Sequence, residues 1–84
     1  MSVYVEHWTL AVDIAGRRAE HLIGVEFNAG TWEATTSLDD RISGLATTRE
    51  ADDGAALAVA ELVGRLLRRS WAKGWRVLSI ARAP

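Results

Sequence analysis

In Asp52-Asp53-Gly54-Ala55-Ala56-Leu57-Ala58-Val59-Ala60-Glu61-Leu62-Val63-Gly64-Arg65-Leu66-Leu67 the spacing of apolar residues changes. Upstream it is two, the period of a strand with one buried and one wetter face. From Gly54 onward it is 3.6, the period of a helix. Asp52 or Asp53 supplies the N-cap, and a carboxylate there also suits the positive end of the helix dipole. Alanine, leucine and arginine favour a helix. Gly74, just after Lys73, suits its C-terminal end, so the spacing predicts a helix over 54–73.

Working back from that cap, the chain reads as strands and turns. Residues 3–14 alternate, with Tyr4, Trp8, Leu10, Val12 and Ile14 on one parity, interrupted only by Glu6. Ala15 to Glu20 reads as a hairpin loop, and 21–27 as the return strand carrying Ile23, Val25 and Phe27. Asn28-Ala29-Gly30 is a turn, because Asn and Gly tolerate positive φ. A third strand is expected over 31–38, with Trp32, Ala34, Thr36 and Leu38 on one face. Asp39-Asp40 marks the next turn and 41–49 a fourth strand, in which Gly44 signals a bulge or a close backbone approach. Beyond the helix, 75–82 forms a closing strand. The order β-β-β-β-α-β implies an α+β fold: a two-layer sandwich of an antiparallel sheet and one amphipathic helix, with residues 1–84 as a single domain.

The composition narrows the function classes. Of 84 residues, 49% are apolar and 25% charged, the mix of an ordinary globular chain. There is no cysteine, which excludes disulfides, thiolate metal sites and cysteine nucleophiles. His7 and His21 do not face each other in a tight hairpin, so no metal is expected. The two Asp-Asp pairs sit where turns and caps want aspartate, rather than as an acid–base couple. No glycine loop cradles a phosphate and no serine sits on a nucleophile elbow. A thin two-layer sheet also leaves little room for an enclosed pocket. These features predict a chain that is not an enzyme, with no cofactor and no small-molecule substrate. No apolar run reaches the ~18 residues of a membrane span, and Met1 to His7 lacks a signal-peptide build, so a cytoplasmic protein without a membrane partner is expected. Nine arginines to one lysine, with abundant alanine, suit a high-GC bacterial or phage genome.

Charge is divided unevenly, although the net is only −1. All eleven acids lie in residues 1–63 beside four arginines, whereas 64–84 holds Arg65, Arg68, Arg69, Lys73, Arg76 and Arg82 and no acid. On a helical projection, Ala55, Val59, Leu62, Val63, Leu66 and Ser70 form the stripe expected against the sheet. Glu61, Arg65, Arg68, Arg69 and Ala72 lie opposite. Arg65, Arg68 and Arg69, with Lys73 and Arg76 one turn on, form a candidate partner-binding basic face, since the guanidinium fork grips phosphate or carboxylate oxygens in pairs. A second apolar arc, Leu57, Ala60, Gly64, Leu67 and Trp71, widens the apolar sector to roughly 220°, beyond the ~100° that one sheet needs. Mid-helix glycine costs ~1 kcal/mol against alanine. Gly64 beside Ala60 therefore points to a closely approaching backbone, and Ala60, Gly64, Leu67 and Trp71 to a self-association surface in a two-fold dimer.

Two stretches carry a family resemblance. Glu6-His7-Trp8-Thr9 opens an alternating strand, and Ile42-Ser43-Gly44-Leu45-Ala46 leads into Ala56-Leu57-Ala58-Val59-Ala60 and on to Leu66-Leu67. They resemble a family of small, mainly actinobacterial proteins with a double-stranded-RNA-binding-like fold, related to ribosome hibernation-promoting factors. That resemblance implies a dimer and an RNA or ribosome partner. Separately, Gly44, Thr47-Thr48 and Asp52-Asp53-Gly54-Ala55-Ala56-Leu57 are similar to the strand-to-helix junction of HicB-type antitoxins, which implies a partner protein. Two classes thus stand: a dimeric binding module presenting arginines to RNA or the ribosome, and an antitoxin-like or phage-type inhibitor that blocks a partner protein.

Overall fold

A computed structural model describes residues 4–47 and 53–84. Five strands, β1 (Tyr4–Ile14), β2 (Arg17–Asn28), β3 (Thr31–Thr36), β4 (Gly44–Thr47) and β5 (Arg76–Arg82), form one curled antiparallel sheet in the order β4-β3-β2-β1-β5. One helix, α1 (Gly54–Leu67), precedes β5 and packs over β4, β3 and β2. The fold is therefore α+β with the element order read from the sequence. Asp52 and the 48–49 end of the expected fourth strand lie outside the described residues.

The first hairpin is tighter than its polar sequence suggests. Ile14 pairs directly with Arg17, so Ala15 and Gly16 alone make the turn, and Arg17–Glu20 belong to β2 instead of a loop. Both turn residues have positive φ, 52° and 84°. Such a two-residue turn matches the twist of the strands it joins. Ala29 and Gly30 repeat the device between β2 and β3, with φ of 53° and 82°. At the other end of β3 the expected strands shorten. β3 stops at Thr36, and the chain to Ser43 is turn and coil that sends Ile42 into the core.

One sheet face supplies Trp8, Leu10, Val12, Ile23, Val25 and Ala34 to the core. Helix α1 supplies Ala55, Ala58, Val59, Leu62, Val63 and Leu66. Of the stripe expected to face the sheet, only Ser70 is exposed. Fully burying Leu62 or Leu66 is worth about 1.5–3 kcal/mol each. Gly44 is where helix and sheet come closest. A Cβ built there would collide with the Ala58 carbonyl oxygen and stand 2.9 Å from Leu62 Cβ. The expectation of a close backbone approach at Gly44 is met by α1 itself.

Asp53 caps α1, its carboxylate accepting from the Ala56 amide at 3.1 Å. The same carboxylate accepts from Arg82 Nη2 at 2.8 Å through both oxygens. Arg82 also donates to Glu6 at 3.1 Å, and its guanidinium lies 4.5 Å from the Trp8 ring centroid. This cluster ties the helix N-terminus to β1 and β5. Among the described residues strand β5 pairs only with β1, from Trp8↔Arg82 to Asp13↔Arg76, with a bulge that leaves Leu78 without a β1 partner.

Candidate functional site

The helix stops earlier than its composition predicts, and this decides where the arginines go. Arg68 ends α1, donating to the Arg65 carbonyl at 3.3 Å, and Arg69 turns to an extended conformation. A short 3-10 turn, Ser70–Ala72, follows, and the Trp75 amide closes onto the Ala72 carbonyl at 3.0 Å. The expected helix over 54–73 is therefore corrected to 54–67. Tertiary packing overrides propensity here. Ala72 is buried, Trp71 meets Trp75 edge-on at 5.2 Å, and Trp75 stacks on His21 of β2 at 5.7 Å with rings 7° from parallel. Those contacts draw the chain back to the sheet. Gly74, with φ of 87°, ends the short turn and not α1.

As a result the five expected basic residues divide. Arg65, Arg68 and Arg69 gather at the C-terminal end of α1, where with Ile42 they line an open cavity of about 350 Å³. Lys73 lies beyond the 3-10 turn and Arg76 on β5, so neither belongs to the group. Arg76 donates instead to Asp13 Oδ2 at 3.1 Å. A helix C-terminus also favours positive side chains through its dipole, so the three arginines fit their local position electrostatically as well.

Ile42, expected in the fourth strand, instead sits in the longer turn after β3 and lines the cavity from there, with Asp39 behind it in the same turn. Asp39 has its carboxylate buried, accepting from the Arg41 amide at 3.0 Å, Arg41 Nε at 3.0 Å and Arg41 Nη2 at 3.1 Å. Those bonds from Arg41, side chain first and amide second, hold the Asp39 carboxyl below its usual range, and they raise Arg41 in turn. Arg69 Nε reaches the same carboxylate at 3.9 Å. Arg65 is paired with Glu61 at 2.8 Å on the exposed helix surface, an i,i+4 pair of about 0.3–0.5 kcal/mol that a stronger acceptor displaces. Arg68 forms no ion pair among the described residues. The cavity thus presents one unpaired and two loosely paired guanidinium groups around the apolar floor of Ile42.

The expected self-association stripe is uncovered by the chain's own described residues. Leu57 is 51% exposed, Leu67 37% and Trp71 40%, and Ala60 is exposed beside them. Only Trp75 leans on one end of it, through Trp71. Gly64 has nothing within 4 Å of an added Cβ, so nothing among the described residues requires glycine there. His7 is exposed, and among the described residues no three His, Cys, Asp or Glu side chains gather in a metal-holding group. No helix among them is long and apolar enough to cross a membrane. Comparison with protein-family models, with curated proteins and with solved structures finds no match for this chain.

Proposed function

We propose that this chain is a small non-enzymatic binding module that holds an anionic macromolecule, RNA in the first instance, through Arg65, Arg68 and Arg69. The observation that supports this reading is the convergence of these three side chains on one open cavity, with Arg68 unpaired among the described residues and Arg65 held only by an exposed pair. Phosphate oxygens match the guanidinium fork in geometry and charge. An open depression suits a strand of phosphates passing across it better than an enclosed small molecule. The test is titration of a labelled single-stranded RNA at several salt concentrations. Three phosphate contacts give a log–log salt slope of about −2. The Arg65, Arg68 and Arg69 triple alanine variant should lose binding while keeping its helical signal. Undiminished binding by that variant refutes the proposal.

A second reading, a module that blocks a partner protein, is favoured by the exposed Leu57, Leu67 and Trp71. A protein partner gripped there gives weak salt dependence and a loss of ~2 kcal/mol or more for Trp71→Ala. The salt titration separates the two readings directly.

A further inference from the structure

We propose that the arginine cavity continues across the turn after β3, where Arg41 and Arg69 close as a clamp on one phosphate group and the buried carboxylate of Asp39 sets their spacing. This inference rests on the reading of Arg65, Arg68 and Arg69 as a phosphate-binding group. It adds to that group a contact residue, Arg41, and a positioning residue, Asp39.

The geometry centres on one oxygen atom. Arg41 Nη2 donates to Asp39 Oδ2 at 3.1 Å, and Arg69 Nε stands 3.9 Å from the same oxygen. Asp39 Oδ1 accepts from the Arg41 amide and from Arg41 Nε, both at 3.0 Å. The Arg41 fork is thus docked through two bonds on a carboxylate that is only 2% exposed, while its own side chain is 78% exposed. Arg69 arrives from the end of α1 and Arg41 from the turn, so the acid ties two separate elements to one point. Arg41 directly precedes Ile42, which lines the cavity together with Arg69, and the Asp39–Arg41 pair therefore lies at the cavity's edge.

This arrangement suits a ligand more than it suits stability. An ordinary exposed ion pair contributes little, because two long side chains must be held still to make it. Arg41 is instead held by a buried acid before any ligand arrives, and a ligand that meets a preorganised group loses less entropy on binding. Asp39 takes the Nε and Nη2 edge of Arg41, and the Nη1 end makes no bond among the described residues. Asp40, the other acid of the turn, is exposed and makes no bond to Arg41 among them, so Asp39 is the acid that orients this guanidinium. One carboxylate shared by two cations leaves positive charge over, next to Arg68. Phosphate oxygens point in several directions, which matches two guanidinium groups that come from different elements; the oxygens of a carboxylate lie in one plane.

The test separates charge from position. The labelled single-stranded RNA is titrated against wild type, Arg41→Ala, Arg41→Lys, Asp39→Asn and the Arg65, Arg68 and Arg69 triple alanine variant, each shown by circular dichroism to be folded at the temperature used. Arg41→Ala should weaken binding by about tenfold or more, the value of a lost hydrogen bond to a charged group. Arg41→Lys keeps the charge without the fork and should lose most of the same affinity. Asp39→Asn removes a negative charge from a site for anions. If Asp39 acted through charge alone, binding would tighten; loss of the positioning carboxylate should weaken it. Arg41 is exposed, so its variants leave the core intact, and they decide the matter if Asp39→Asn does not fold. Wild-type affinity in Arg41→Ala or in Arg41→Lys overturns the proposal, and so does tighter binding by Asp39→Asn. If the triple variant loses binding while the Arg41 variants keep it, the clamp alone falls. If the triple variant also binds undiminished, the phosphate-binding reading falls and the clamp with it.

Discussion

The same substitution at two glycines should move stability in opposite directions. In Gly44→Ala the new methyl meets the Ala58 carbonyl oxygen and stands 2.5 Å from the Leu62 amide nitrogen and 2.9 Å from Leu62 Cβ. These are mostly backbone atoms of α1 and cannot swing aside as a side-chain tip would. Relief requires the helix to withdraw from β4 by ~1 Å, and a gap of that size forfeits up to about half of each dispersion contact across the seam. Overpacking of this kind costs about 1–3 kcal/mol, and a clash against backbone belongs at the upper end. A domain of this length has roughly 4–13 kcal/mol of stability in all. At about 4–8 °C per kcal/mol, Gly44→Ala should lower Tm by about 12–24 °C. Gly64→Ala meets nothing within 4 Å and gains helix propensity of ~1 kcal/mol, so its Tm should rise by about 4–8 °C. Thermal melts by far-ultraviolet circular dichroism on dilute protein measure both. If Gly44→Ala melts with the wild type, the close packing of α1 on β4 is wrong. A Gly64→Ala variant that melts below the wild type shows that the open space beside Gly64 is filled.

Three further changes have definite expected outcomes. Asp53→Ala removes the cap on the Ala56 amide and the acceptor for Arg82, so a loss of about 1–2 kcal/mol is expected in urea denaturation; Asp53→Asn, which keeps a capping oxygen, should recover most of it, and equal losses would show that the cap matters little. Asp39 releases its proton more readily folded than unfolded, so its stabilisation is complete above about pH 5 and fades as pH falls through its ordinary value of 3.8 and on toward the lower folded value. The stability gap between wild type and Asp39→Asn should therefore narrow in acid, and a gap that does not shrink as pH falls below 3.8 would contradict the assignment. Ala15→Asn puts a residue tolerant of positive φ at the first turn position, where Ala sits at 52°, and should raise Tm by a few degrees in calorimetry; a fall would mean that the alanine methyl is needed there.

Much of the fold is legible in local patterns because local physics enforces it. The alternation of Trp8, Leu10 and Val12, the Asp53 cap and the small residue at Gly44 are each needed by the element they occupy. The features that escape a sequence reading depend on distant partners. Arg68 to Lys73 has ordinary helix propensity, and it is the burial of Ala72 and the Trp71–Trp75–His21 contacts that draw the chain off the helix. Alanine does not announce a positive φ, so Ala15 hides a two-residue turn, and the polar Arg17–Glu20 reads as loop although a solvated strand is polar too. The basic residues were visible as a class. The grouping of Arg65, Arg68 and Arg69 follows from helical spacing, but the loss of Lys73 and Arg76 from it does not, because the helix ends early and Arg76 is taken up by Asp13.

The seat of β5 beside β1 also bears on how the chain folds. The first three strands are joined by two-residue turns and close over short distances, whereas the Asp13–Arg76 pair spans 63 residues and the Glu6–Arg82 pair 76. Long closures cost more chain entropy and slow the step that makes them. The hairpins should thus form first and β5 dock last, which kinetics can check: substitutions in the β1–β2 hairpin should slow refolding, and those in β5 should mainly hasten unfolding. Until β5 docks, the edge of β1 is open, and the strand that fills it can come from a neighbouring chain as well as from its own.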